Sequence, residues 1–270
     1  MSSLLILVCF FILIISFLIP KSTPKSSQST EQSQAAQELN YLALGDSLTE
    51  GVGDSSQSGG FVPLLSSLLE EDGNYLVTSH NAGVSGNTSK QILKRMQTDE
   101  ELESWLKSAQ FMTLTVGGND LLAVIKKNIA DLSVDSFTKP AEAYQDRLRQ
   151  IIELARIDNP DLPIYLVGIY NPFHQAFSEI AELQTIIDKW NQASQEVSQE
   201  YDKVYFVSID QALYDGMDGQ DDLTSDSSSS SDTEDNAVLY QEDHFHPNNT
   251  GYQIIANQVM EKINETKAEW

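Results

Sequence analysis

The chain has 270 residues, of which 40% are hydrophobic and 21% charged, so it is long enough to bury one large core or two small ones. Forty acidic residues against 16 basic ones give a formal net charge of -24, which repels phosphate backbones and excludes nucleic-acid binding. The single cysteine, Cys9, lies in an apolar run, which excludes a disulfide framework, a cysteine-based zinc site and a cysteine nucleophile in the folded part.

The N-terminus, residues 1–20, contains an unbroken apolar run over 4–19, slightly short of the roughly 17 to 25 residues that a spanning helix needs. Neither a basic segment before it nor a small-residue cleavage site after it is present. We therefore expect an uncleaved membrane anchor with an extracytoplasmic domain; the alternative is a cleaved signal and a secreted domain. Lys21 and Lys25 oppose this orientation under the positive-inside rule. Residues 21–39, rich in serine and glutamine, predict a disordered linker.

From residue 40 onwards, short apolar runs alternate with amphipathic stretches. The runs predict five buried strands over 41–44, 75–78, 111–116, 164–168 and 204–207. The helical stretches are 61–69, 88–96, 141–157, 180–201 and 252–263. Because strands that alternate with helices form parallel sheets covered on both faces, residues 40–270 predict one α/β domain.

An acidic, low-complexity segment interrupts this pattern at residues 218–236, where a run of five serines lies among aspartates. Its composition predicts a disordered, solvated insertion. A calcium loop is the alternative, but such a loop needs carboxylates at alternating positions with a glycine for the turn. The spacing of the aspartates does not match it.

Polar segments follow the first three predicted strands, where ligands of open parallel sheets bind. They read GDSLTEG at 45–51, NAGVSGNT at 81–88 and GGND at 117–120, and a fourth, DHFHPN at 243–248, precedes the last helix. Taken singly, each has a structural interpretation: Ser47 and Glu50 have capping-box spacing, and Asn119 could be an N-cap. Together at one edge of the sheet they predict a functional site.

These four segments resemble the four sequence blocks of the GDSL or SGNH hydrolases, and the resemblance extends from residue 41 to about residue 260. It implies a three-layer α/β/α, flavodoxin-like SGNH hydrolase fold with a parallel five-stranded sheet. It also implies a serine esterase or lipase without a metal or other cofactor. In this sequence the nucleophile would be Ser47, the base His246 and its orienting acid Asp243.

The resemblance further implies an oxyanion hole formed by Ser47, Gly86 and Asn119, and a supporting role for Asp46 beside the nucleophile. The chemistry is consistent, since a serine hydroxyl becomes a nucleophile when an imidazole accepts its proton and a carboxylate orients that imidazole. The G-x-S-x-G elbow of the α/β-hydrolases is absent, because Thr49 stands in place of its second glycine.

His244 introduces an alternative, because Asp243, His244 and His246 together could ligate a metal. A catalytic zinc site needs three protein ligands and an open position, and the two remaining histidines have no ligand spacing, so we expect no metal. His244 is then a solvated loop residue or part of the substrate entrance. Residues 171–173, which follow the fourth strand, could line an acyl pocket or form a simple proline-containing strand exit.

Three functional hypotheses remain. The first is hydrolysis of a small-molecule acyl ester through an acyl-enzyme on Ser47. The second is an O-acetyl carbohydrate deacetylase of the cell envelope that uses the same site. The third, from another class, is a non-catalytic surface binding module. The expected partners are an acyl ester or acetylated sugar substrate and, through the N-terminal segment only, a membrane; no nucleic acid is expected.

Overall fold

The computed structural model describes residues 36–73, 75–128, 133–174, 181–218 and 237–270. Within them, five parallel strands form one sheet in the order β2-β1-β3-β4-β5. The strands are β1 (Gln37–Gly45), β2 (Tyr75–Gly83), β3 (Phe111–Thr115), β4 (Ile164–Val167) and β5 (Val204–Val207). In this doubly wound order β2 is added on one side of β1, and β3 to β5 are added on the other side. This reversal leaves a crevice at the carboxyl ends of β1 and β3.

Nine α-helices accompany the sheet in the described ranges. They are α1 (Ser47–Glu50), α2 (Phe61–Gly73), α3 (Ser89–Thr98), α4 (Glu100–Ser108), α5 (Gly118–Asn128), α6 (Thr138–Ala155), α7 (Ala181–Ser198), α8 (Asp210–Asp218) and α9 (Asn249–Thr266). Short 3-10 turns lie at Val134–Phe137 and Lys267–Glu269. None of the helices in the described part of the chain combines the length and apolarity that crossing a bilayer requires.

Side chains that alternate along the strands divide the core into two layers. Leu42 and Leu44 of β1 pack with α3, α4, α6 and α7 on one face, and Tyr41 of the same strand packs with α2, α8 and α9 on the other. Both clusters consist of buried hydrophobic residues, most of them aliphatic or aromatic. The predicted three-layer α/β/α architecture with a parallel five-stranded sheet is therefore confirmed.

The structure departs from the predicted elements at one edge and in several helices. β2 is an edge strand that pairs only with β1, and its side chains are mostly exposed or half-buried, so the prediction of five buried strands is wrong for β2. Helices α4 and α8 are not among the helices predicted from the sequence pattern. In α4 only Leu102 and Leu106 are buried, and one pair of apolar residues is too short a pattern to indicate a helix.

The predicted terminal and inserted segments fall mainly outside the described residues. These are the N-terminal segment 1–20, most of the linker 21–39 and, beyond residue 218, the acidic insertion. β1 begins at Gln37, three residues inside the predicted linker, because residues 37–39 already pair with the start of β2.

Candidate active site

The nucleophile candidate lies where β1 turns sharply into the four-residue helix α1. Asp46 is the N-cap of this helix, and its carboxylate accepts a hydrogen bond from the Leu48 backbone N–H at 3.1 Å. Ser47 is therefore the first helical residue, and the capping-box interpretation of Ser47 and Glu50 is wrong. The Glu50 carboxylate instead accepts a hydrogen bond from the Ser85 backbone N–H, which joins the Ser47 turn to the loop that contains Gly86.

Three residues predicted from the motifs form one hydrogen-bonded chain. The Nε2 atom of His246 lies 2.9 Å from the Ser47 Oγ, and its Nδ1 atom lies 2.6 Å from the Asp243 Oδ2. Ser47 is buried, whereas the Asp243 side chain is 35% exposed. Both ring nitrogens of His246 are thus engaged, in the arrangement of nucleophile, base and orienting acid.

Hydrogen bonds hold the Asp243 carboxylate in its charged form. Partial burial raises its pKa, but the His246 ring and the backbone N–H groups of His246 and Phe245 outweigh that effect, so its pKa is lowered. The Oδ1 atom accepts both backbone bonds, at 2.9 Å from Phe245 and 3.0 Å from His246, and leaves Oδ2 to the imidazole. One carboxylate therefore shapes its own loop and orients the ring.

The loop that presents Asp243 and His246 is closed by backbone pairing at its base. Leu239 and Pro247 form an antiparallel bridge, and the Tyr240 N–H donates to the His246 carbonyl at 2.8 Å. Tyr170 lies three residues after β4, and its hydroxyl donates a hydrogen bond to the Phe245 carbonyl at 2.5 Å. His244 is exposed and has a positive φ of 51°. Its ring takes no part in the Ser47–His246–Asp243 chain.

The two other oxyanion-hole candidates follow β2 and β3. The Asn119 Nδ2 donates to the Asn87 carbonyl at 3.0 Å, which ties the β3 exit to the loop of Gly86. Helix α5 begins at Gly118, so the N-cap interpretation of Asn119 is wrong. Gly86 has φ +77°, and a Cβ built there would meet no atom of the described chain within 4 Å. The glycine is needed for its left-handed backbone, because other residues adopt that conformation at a cost.

Asp46 is buried under the nucleophile turn and makes two hydrogen bonds with Thr115 at the end of β3. Its carboxylate accepts a hydrogen bond from the Thr115 Oγ1 at 2.9 Å, and its backbone N–H donates to the same oxygen at 3.2 Å. Burial raises the pKa of Asp46 to about 6, although the bonds from Leu48 and Thr115 and the nearby His246 lower it. These contacts join the Ser47 turn to the end of β3.

A small, largely apolar cavity of about 50 Å³ adjoins Ser47, Asn119 and His246. Its apolar walls come mainly from the exits of β3 and β4 and from the histidine loop: Val116, Leu122, Ile169, Tyr170, Pro172 and Phe245. Of the segment 171–173, Pro172 lines the cavity. The buried Asn171 accepts a hydrogen bond from the Phe173 N–H and turns the chain, and the ring of Phe173 packs on Phe245.

The histidines and acids in the described ranges form no group of three or more that could hold a metal ion. His80 stacks on Trp105 at 4.8 Å between ring centroids, and His174 stacks on Tyr214 at 4.0 Å. Both rings are thus engaged in contacts away from Ser47.

Two residues that were not predicted from the sequence, Thr115 and Tyr170, hold the Ser47 turn and the histidine loop. Thr115 is a polar residue in the otherwise mostly apolar strand FMTLT, and all five of these residues are buried. A hydroxyl in such a strand needs a hydrogen-bond partner, and that requirement was the available signal. Tyr170 carried no comparable signal, because its partner is a backbone carbonyl 75 residues away.

Comparisons with known proteins cover most of the chain. The sequence model of the GDSL-like lipase/acylhydrolase family matches residues 43–254. The uncharacterized protein YpmR of Bacillus subtilis (strain 168) is 29% identical over 243 residues, which are 90% of this chain and 88% of that protein. The spore germination lipase LipC of Bacillus licheniformis is 32% identical over 139 residues, 50% of this chain and 65% of LipC.

Solved structures of similar fold include the lipase Lip_vut3 from a goat rumen metagenome. It superposes with a TM-score of 0.64 at 23% identity, over 83% of this chain and 96% of that lipase. At this identity the likeness concerns the fold, and it agrees with the sheet order and the layers described above.

Proposed function

The chain belongs to the GDSL-like lipase/acylhydrolase family and is a carboxylic ester hydrolase, and from this premise we propose that it cleaves acyl esters through an acyl-enzyme on Ser47. The observation that supports this mechanism is the hydrogen-bonded chain from Asp243 through His246 to the Ser47 hydroxyl. Because the family is one of ester hydrolases, the hypothesis of a non-catalytic binding module loses its basis.

In the proposed first half-reaction, Ser47 Oγ attacks the ester carbonyl while the Nε2 atom of His246 accepts the hydroxyl proton. Asp243 accepts the Nδ1–H bond, which fixes the required tautomer and stabilises the imidazolium. The imidazolium then gives its proton to the leaving alcohol, and the acyl group stays on Ser47. In the second half-reaction water attacks the acyl-enzyme, with His246 again accepting and returning the proton, and the acid leaves.

The negative charge on the carbonyl oxygen needs fixed donors in the tetrahedral intermediates. We assign this role to the backbone N–H groups of Ser47 and Gly86 and to the Asn119 amide. The Asn119 Nδ2 has two hydrogens; one goes to the Asn87 carbonyl, and the second is left for the oxyanion. Loss of one such donor typically raises the barrier by about 2.7 to 4 kcal/mol.

A second candidate function is removal of O-acetyl groups from a cell-envelope carbohydrate at the same site. The size of the cavity beside Ser47, about 50 Å³, favours this candidate. A cavity this small and apolar suits an acetyl methyl group better than a long acyl chain. A longer chain would have to leave through the open side of the site.

The N-terminal segment completes the proposal. We propose that residues 1–20 anchor the protein in the cell membrane with the hydrolase domain, residues 40–270, on the extracytoplasmic side, or direct secretion if they are cleaved. The support is the apolar run over residues 4–19. Fractionation of cells that express the full chain tests it: recovery in the cytosol would contradict both forms of the proposal.

The hydrolase proposal is tested by turnover of p-nitrophenyl esters of two, four, eight and twelve carbons, with the full chain in detergent micelles. Ser47→Ala should lower kcat by about 10⁴-fold or more, because the nucleophile is lost. Ser108→Ala, which removes an exposed hydroxyl at the end of α4, is the matched control and should retain activity.

The same series separates the two candidates. Fastest turnover of the two-carbon ester, together with release of acetate from acetylated oligosaccharide, supports the deacetylase. Fastest turnover at eight or twelve carbons supports a lipase. Equal activity of the Ser47→Ala variant and the unmodified chain on every substrate would show that Ser47 is not the nucleophile.

A further inference from the structure

A buried ionic cluster outside the Ser47–His246–Asp243 chain is formed by Asp120, Ser89 and Arg147. The Asp120 Oδ1 accepts hydrogen bonds from the Ser89 hydroxyl at 2.6 Å and from the Arg147 Nη2 at 3.2 Å. Its Oδ2 accepts one from the Ser89 backbone N–H at 2.7 Å. The Arg147 Nε donates to the Ser89 hydroxyl oxygen at 2.6 Å and closes the cluster. In the part of the chain that the structure describes, none of these groups is hydrogen-bonded to Ser47 or His246.

The position of the cluster connects it with the proposed oxyanion hole. Asp120 directly follows Asn119 in the first turn of α5, and Ser89, the first residue of α3, lies three residues after Gly86. Between them, the Asn119 Nδ2 already donates to the Asn87 carbonyl. The two oxyanion donors outside the nucleophile turn therefore belong to a loop and to the start of a separate helix, which are bonded to each other at Asn87 and again at Ser89.

A carboxylate suits this place for a physical reason. The first N–H groups of a helix have no partner within the helix, and the positive end of its dipole favours a negative charge. Asp120 supplies such a charge to α3 from a neighbouring helix, and it is 8% exposed. Arg147, from α6, balances the charge of the buried Asp120 carboxylate and donates a hydrogen bond to it. The cluster therefore fixes the separation of the starts of α3 and α5.

From this geometry we infer that Asp120, together with Ser89 and Arg147, is a positioning residue that holds the Asn119 amide at the distance from the Gly86 loop that an oxyanion requires. The inference rests on the proposed function, because it acts through Asn119. Effects of misplacement are steep: an error of about 1 Å in a catalytic group can cost about 100-fold in rate. The cluster thus acts on the transition state without contacting the substrate.

The test is a double-mutant cycle on the full chain in micelles with p-nitrophenyl acetate. Asp120→Asn replaces one acceptor oxygen by a donor of the same size, and it should lower kcat/KM by about 10- to 100-fold. In the Asn119→Ala background the same change should lower kcat/KM by less than about 2-fold, since the donor that Asp120 positions is already absent. A purely structural role would lower both backgrounds by the same factor.

Two further variants keep the inference testable if Asp120→Asn does not fold. Ser89→Ala removes the hydroxyl that bridges the charges, and Arg147→Lys keeps the charge but loses the forked donor. Each variant should lower kcat/KM, and the loss should again be smaller in the Asn119→Ala background. Arg149→Lys, on the same helix but paired on the surface with Glu200, is the matched control and should retain activity.

The outcomes distinguish this inference from the proposed function. If folded variants of the cluster retain full kcat/KM, or lose the same factor with and without Asn119, the positioning role is overturned while Ser47 and Asn119 keep theirs. If Ser47→Ala retains turnover, the proposed function itself fails. Loss that depends on Asn119 supports both.

Discussion

Ser47 and Asn119 lie at the ends of β1 and β3, deep in the sheet crevice, whereas Asp243 and His246 lie on a surface loop. On the strand side, buried hydroxyls and carboxylates such as Thr115 and Asp46 bond each other in pairs or larger groups. On the loop side, backbone pairing and one tyrosine hydroxyl hold a half-exposed carboxylate. The two sides meet at the 2.9 Å contact between His246 and Ser47.

This difference separates stability from activity. A buried polar group that loses its partner costs free energy of folding, because neither water nor protein then satisfies it. A half-exposed group can be rehydrated, so its loss affects folding little. We therefore expect changes on the strand side to lower the free energy of unfolding, and changes on the loop side to lower the rate.

The largest expected effect is that of Asp243→Asn on the loop side. The asparagine Oδ1 can still accept the Phe245 and His246 backbone bonds, but its amide donates toward His246 Nδ1 and favours the wrong tautomer. We expect kcat for p-nitrophenyl acetate to fall by about 10³- to 10⁴-fold. The free energy of unfolding should change by about 1 kcal/mol or less.

Asp158→Asn, an exposed acid far along the chain from the site, is the control for this substitution. Rates and urea unfolding are measured on the same preparations. A variant that loses stability in proportion to its rate would break the distinction between the two sides.

The next effect in size is that of Thr115→Val on the strand side. Valine has the same shape but leaves the Asp46 carboxylate, the Asp46 N–H and the Thr49 hydroxyl without the shared oxygen. We expect the free energy of unfolding to fall by about 2 to 3 kcal/mol, measured by urea denaturation with an unchanged slope. Thr98→Val, at the exposed end of α3, should change it by less than about 0.5 kcal/mol.

The smallest effect joins the two sides through charge. Asp46 is near enough to His246 for the two charges to interact, and that interaction lowers the pKa of Asp46. In Asp46→Asn the Oδ1 can still accept the hydrogen bonds from Leu48 and Thr115, so the variant removes the charge with little other change.

The same variant has a stability consequence whose sign follows from burial. Burial raises the pKa of Asp46 in the folded chain to about 6, so the folded state binds the proton more tightly than the unfolded state. The stability from this proton is present at low pH and is lost as the pH rises from about 4 to about 6. Over that interval the unmodified chain should lose stability relative to Asp46→Asn, as thermal unfolding at several pH values would measure.

The elements that the sequence predicted well are those with a repeating pattern. The central strands β1, β3 and β4 are apolar runs, and the long helices show apolar residues at helical spacing. Edge strand β2 was predicted over 75–78 only, because most of its residues are exposed or half-buried, and α4 was missed because it has nine residues and buries only Leu102 and Leu106. The capping interpretation of Ser47 failed because aspartate and serine are equally favoured as N-caps, and Asp46 occupies the N-cap position one residue earlier.

What the sequence determined by itself is the order of the strands along the chain and the identity of the site segments, because both are written in local patterns of apolar, glycine and polar residues. What only the tertiary structure decided is which side chains support the site. Asp120 reaches Ser89 across 31 positions, and Asp46 reaches Thr115 across 69. Such contacts exist because β1 lies between β2 and β3, and pairing between strands brings together residues whose separation in sequence carries no local signal.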